Sequence, residues 1–204
     1  MLENVLSLIA RFILLAIAAM TVESAVFSKG VGISRLLLLV ESPVDTAVFT
    51  GLMISTTVLS GIMYYFVMRW LVIPEQTVLY IRTLILIVCM SLAFLTVFIF
   101  SIKLIPRKRA KKTISTLPLA TFNNMVLGAV LISTTSKFNL AEMVIFNIGS
   151  GLGFLFAVIL VKEGYKKQKS NDIPIAFRGI PITLIYLGAV ALALYGFTGF
   201  GFNI

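Results

Sequence analysis

Histidine is absent from this sequence, and cysteine occurs once, as Cys89 in the middle of an apolar run. A metal centre built from His or Cys clusters is therefore excluded within this chain alone. Charge is also scarce, at 12% of residues against about 25% in an average soluble domain. No catalytic constellation stands out. The first residues, Met1-Leu2-Glu3, lack a basic start, and no small-x-small cleavage site clearly ends the apolar run that follows. That run reads as a retained first helix rather than a signal peptide.

What is present is apolar. Hydrophobic residues make up 59% of the chain, and its mean hydropathy is +1.07. Repeated runs of about 20 apolar residues are each long enough to cross roughly 30 Å of hydrocarbon. A soluble core of this composition would need many helices apolar on every face. The pattern predicts six transmembrane helices at about 4–27, 46–68, 77–103, 114–134, 139–161 and 180–201. They form a single transmembrane domain, 1–204, with no segment left for a soluble one. Asn171, Asp172 and Pro174 mark the longest connection, about 162–179.

The formal charge of +9 lies in the connections, as membrane orientation requires, and does not suggest a nucleic-acid partner. Lys29 and Arg35 follow the first span. Lys103, Arg107, Lys108, Arg109, Lys111 and Lys112 follow the third, and Lys162, Lys166, Lys167, Lys169 and Arg178 the fifth. These are 13 of the 17 Lys and Arg. The positive-inside rule then puts the odd-numbered connections in the cytoplasm and both termini outside. The basic group around Arg107–Lys112 serves orientation and attraction to anionic lipid, or docks an acidic cytosolic partner.

Glu23-Ser24-Ala25-Val26-Phe27-Ser28 aligns with Asn123-Asn124-Met125-Val126-Leu127-Gly128. Each stretch opens a polar interruption in the span that begins one half of the chain. Halves of three spans enter the membrane in opposite directions, so the expectation is two inverted three-helix repeats, about 1–105 and 106–204, with broken first and fourth helices. Such repeats bring polar or ion sites to the midplane, and Glu23, Lys29, Asn123 and Asn124 are the candidates here. Lys29 has an alternative reading as a snorkelling cap of the first span.

Several segments resemble the A/E-type membrane subunit of the Rnf and Nqr ion-translocating electron-transport complexes. Asp172-Ile173-Pro174-Ile175-Ala176-Phe177-Arg178-Gly179 is similar to that family's D-V-P-x-x-F-R-G before the last helix. Tyr80-Ile81-Arg82-Thr83-Leu84 is similar to its Y-L-R-T-L, and Tyr195-Gly196-Phe197-Thr198-Gly199 to its terminal M-G-F-S-G. Leu117-Pro118-Leu119 opens the fourth span as in the family. The resemblance runs from about Glu23 to Gly201 and implies a six-helix, inverted, outside-ended subunit in a bacterial or archaeal cytoplasmic membrane.

It further implies one cysteine on each broken helix, two of the four thiolates of an iron–sulfur cluster shared with a homologous membrane subunit. Here those two positions carry Ser34 and Asn124. Oxygen and amide groups do not replace soft thiolates on iron. The expectation is therefore a non-catalytic subunit of an Rnf/Nqr-like complex, partnered by a homologous or other subunit of that complex and without a cluster of its own. The alternative is a repurposed transporter using the midplane polar group. A third reading has partners supply every cluster ligand while electrons still pass nearby.

Gly149-Ser150-Gly151-Leu152-Gly153 has the spacing of a dinucleotide fingerprint but lies in an apolar span without a preceding strand. It reads as a helix-packing surface. Asn147 is expected in an interhelical hydrogen bond or as a midplane carbonyl ligand. Arg82 is expected to snorkel, or to pair with Glu75 or Glu142.

Overall fold

The computed structural model describes residues 2–20, 33, 39, 46–70, 75–104, 107–136, 138–167 and 174–198. Among these residues the chain is helical, with no strand. In chain order the helices are α1 (Leu2–Met20), α2 (Thr46–Trp70), α3 (Glu75–Leu104), α4 (Arg107–Thr121), α5 (Asn124–Thr135), α6 (Leu140–Lys167) and α7 (Ile180–Thr198). A short 3-10 helix, Ile175–Phe177, and Gly179 at φ 83° precede α7.

Among the described residues, three helices are long and apolar enough to cross a membrane: Thr46–Trp70, Tyr80–Lys103 and Leu140–Lys166. Ile114–Thr121 and Asn124–Thr135 make a fourth if counted as one span bent by 47°. Ile9–Met20 and Ile180–Leu194 are shorter apolar helices.

α6 forms the centre of the bundle, with α1 and α2 packed along it. Lipid tails are as apolar as Leu, so helices in a membrane associate through close packing of small residues. A Cβ placed on Gly149 would lie 2.8 Å from the Ala16 carbonyl oxygen, and one on Gly153 would lie 2.6 Å from that of Met20. These two glycines seat α1, while Gly151, on another face, leaves room for Ile54 of α2.

Contacts along α6 also fix the directions of its neighbours. Arg11 pairs with Glu142 at 2.8 Å, and Ala16 and Met20 meet Gly149 and Gly153, so α1 runs parallel to α6. Gly61 of α2 meets Asn147, and Thr46 accepts a hydrogen bond from Lys162 Nζ at 2.6 Å, so α2 runs antiparallel. Glu142 has a second task. Its carboxylate accepts from the Asn139 N–H at 3.1 Å, and its own N–H donates to Asn139 Oδ1 at 2.9 Å. This reciprocal cap starts α6 where the polar Asn139 ends the preceding turn.

The apolar core joins Phe49 and Met53 of α2, Met125, Val126 and Ala129 of α5, and Phe154 and Val158 of α6. Cys89 is buried in a smaller cluster with Tyr64, Leu86 and Val130. The outward faces of α1 and α3 carry large apolar side chains, among them Ile13, Leu14, Leu84, Val88 and Leu95.

Candidate functional site

The break between α4 and α5 has a local cause. Pro118 has no N–H to donate one turn back, which weakens the end of α4. Asn123 then leaves helical geometry, at φ −124° and ψ 136°, and its side-chain oxygen accepts from the Met125 N–H at 3.2 Å. An asparagine capping α5 in this way satisfies a donor that the interrupted helix orphans. The Asn123 amide nitrogen is left with the Met53 sulfur at 3.8 Å, a weak acceptor. Asn123 is buried, and the hydroxyls of Thr121 and of Thr50 on α2 are buried with no hydrogen-bond partner among the described residues.

A second polar group lies where α2 meets α6. Thr50, Thr57, Ser60, Gly61 and Tyr64 share the buried face of α2. Thr57 donates to the Met53 carbonyl at 2.6 Å and Ser60 to that of Thr57 at 3.0 Å, a self-contained solution for hydroxyls in an apolar helix. Opposite them, Asn147 is fully buried, and neither its amide oxygen nor its nitrogen has a partner among the described residues. Ser150, one turn along α6, is likewise buried with no partner among the described residues. The interhelical bond expected of Asn147 is not formed among the described residues. In its place, a Cβ on Gly61 would lie 2.6 Å from Asn147 Nδ2, so the amide occupies the space that the glycine leaves.

A cavity of about 270 Å³ opens beside this group, lined by Tyr64, Tyr65, Arg69, Thr134 and Met143, among others. Arg82 interacts with Tyr64, one of the residues lining it. Its guanidinium donates to Thr135 Oγ1 at 2.9 Å, while Nε is buried with no partner among the described residues. Glu142 is not its partner, because the Glu142 carboxylate is taken by Arg11 and by the α6 cap.

Of the midplane candidates, Glu23 and Lys29 lie outside the described residues, as does Ser34 and with it the interruption of the first span. Asn123 and Asn124, adjacent in sequence, part company: Asn123 is buried and Asn124 is exposed on the first turn of α5. Cys89 stands on α3 among apolar side chains, away from the break. The described donors are thus amides and hydroxyls, which do not fit a thiolate-held iron–sulfur cluster.

Gly61, Thr50 and Thr121 are not singled out by motif. The signal for the first two was the spacing Thr50, Thr57, Gly61 and Tyr64, which puts polar and small residues on one face of an apolar helix.

Apolar helices long enough to cross a membrane, packed parallel and antiparallel to one another, with one helix pair bent at a buried asparagine, are the architecture of a helical membrane protein. The profile of the Rnf-Nqr subunit membrane proteins matches residues 12–201, and the chain belongs to this family. It is 30% identical over 196 residues to the A-type subunit of the ion-translocating oxidoreductase complex of Shewanella sediminis, covering 93% of this chain and 98% of the relative. It is 27% identical over 194 residues to the A-type subunit of the Na(+)-translocating ferredoxin:NAD(+) oxidoreductase complex of Acetobacterium woodii, covering 92% and 96%. Over 83 residues, 41% of each chain, it is 37% identical to the E-type subunit of the Na(+)-translocating NADH-quinone reductase of Psychromonas ingrahamii.

Proposed function

We propose that this chain is a non-catalytic membrane subunit of an ion-translocating electron-transport complex of the Rnf/Nqr type, and that it holds no iron–sulfur cluster of its own. The observation that carries the first part is the family match over residues 12–201, together with similarity to A-type subunits along nearly their whole length. The second part rests on donor chemistry: Ser34 and Asn124 stand at the family's cysteine positions, and Cys89 is buried among apolar side chains. Its partners are then a homologous membrane subunit or other subunits of such a complex, with anionic lipid at the basic face.

The same reading gives six spans in two inverted repeats, a bacterial or archaeal cytoplasmic membrane, and both termini outside it. The parallel run of α1 and α6, with α2 opposed to both, supports an alternating path, since first and fifth spans share a direction. Ile9–Met20 and Ile180–Leu194 would contribute to the first and last spans. The break at Asn123 supports the interrupted fourth span.

Gentle purification of the tagged chain from its native host, followed by identification of co-purifying proteins and assay of iron and acid-labile sulfide, tests both parts. Flavin- and ferredoxin-binding subunits should co-purify, and the separated chain should contain no iron. Recovery of the chain without such partners would overturn the first part, and stoichiometric iron and sulfide in the separated chain would overturn the second.

A further inference from the structure

We propose that Asn147 and Ser150 form a water-binding site inside the bundle, reached from the cavity between α2, α5 and α6. Both side chains are fully buried, and three of their polar atoms, the Asn147 amide oxygen and nitrogen and the Ser150 hydroxyl, have no partner among the described residues. In a membrane interior no surrounding solvent compensates such atoms, so a bound polar ligand is their natural complement.

The donor set selects that ligand. An amide presents one acceptor and two N–H donors, and a serine hydroxyl both donates and accepts. A metal cation would satisfy the oxygens and leave the N–H groups orphaned, while an anion would do the reverse. Water donates and accepts, and buried water in proteins holds such groups with about three hydrogen bonds. Thr57 and Ser60 on the facing helix donate to their own backbone, which leaves lone pairs able to accept from water as well.

The route in is short. The cavity of about 270 Å³ is lined by Tyr64 and Met143, each one helical turn from the α2–α6 contact between Gly61 and Asn147. A Cβ on Gly61 would stand 3.3 Å from the Met143 sulfur and 2.6 Å from Asn147 Nδ2, so the cavity wall and the orphaned amide meet at one point. The site thus gives the bundle a polar step inward from the end that carries Arg69. This goes beyond the assignment to a complex, because it concerns hydration within this chain whichever partners it has.

Hydroxyl-radical footprinting of the full chain in lipid nanodiscs tests the site, since radicals formed from bound water oxidise the nearest sulfur. Met143 and Met125 are both buried, at 3% and 0% exposure, but only Met143 borders the proposed water. Met143 should be oxidised several-fold faster than Met125, and Asn147→Leu should bring it down toward the Met125 rate. Ser150→Ala, a smaller change, should lower the Met143 rate as well and serves if Asn147→Leu does not fold. Equal rates for the two methionines in the wild-type chain would overturn the proposal. So would a Met143 rate unchanged in a folded variant, which would assign the oxidation to cavity water alone.

Discussion

Gly61 on α2 and Asn147 on α6 contend for the same space, since a Cβ on Gly61 would lie 2.6 Å from Asn147 Nδ2. A methyl group at this position would have to displace the buried ends of the Asn147 and Met143 side chains. Gly61→Ala should therefore lower stability by about 1–3 kcal/mol, the range for overpacking a tight interior. Gly51 on the same helix has nothing within 4 Å of its Cβ position. Gly51→Ala should be neutral or stabilising by up to about 1 kcal/mol through helix propensity. Thermal unfolding of both variants in one detergent measures the contrast, and equal effects would show that the α2–α6 contact is looser than described.

The break between α4 and α5 makes a prediction for neighbouring asparagines. Asn123 caps α5 and is buried, whereas Asn124 is exposed. Asn123→Ala should cost about 0.5–2 kcal/mol, the usual loss for a cap, and Asn123→Asp should retain the acceptor that Met125 N–H needs. Asn124→Ala should change stability by no more than about 0.5 kcal/mol. An Asn124 variant as damaging as Asn123→Ala would contradict this division.

Glu142 and Arg11 should respond unequally although they form one ion pair. The Arg11 side chain is 67% exposed and that of Glu142 11%, so the pair itself is worth no more than about 1 kcal/mol. Glu142 also caps α6 through Asn139. Glu142→Ala should then destabilise by about 1–2 kcal/mol, more than Arg11→Ala. A double-mutant cycle measured by thermal unfolding separates the pair from the cap, and equal single effects would remove the capping role.

Orientation is checked with introduced cysteines. Lys111→Cys and Lys167→Cys should be protected from an impermeant thiol reagent applied to intact cells, while Asn203→Cys should react. The basis is the proposed six-span path, which would put 13 of 17 Lys and Arg on one side. External labelling at position 111 would reverse the orientation.

Hydropathy alone locates the middle spans. The expected 46–68, 77–103 and 139–161 correspond to α2, α3 and α6, because burial in lipid is a property that each segment carries by itself. The interruption near Asn123 is equally local, since Pro118 and a capping asparagine end one helix and begin another wherever they sit. Family membership is also written in local segments such as Asp172–Gly179. Partnerships between helices are not local. That Glu142 serves Arg11 and not Arg82, that Arg82 turns to Thr135, and that Asn147 faces a glycine and no hydrogen-bond partner among the described residues depend on the rotation and axial register of whole helices. Those two quantities are set by ridge-into-groove packing of side chains far apart in the chain, such as Gly149 and Gly153 against Ala16 and Met20. The sequence by itself therefore determined which of the described helices are long and apolar enough to cross a membrane, and where one helix pair bends. Only the tertiary structure decided which buried polar groups have no partner among the described residues, because a polar atom is orphaned by its neighbours and not by its own identity.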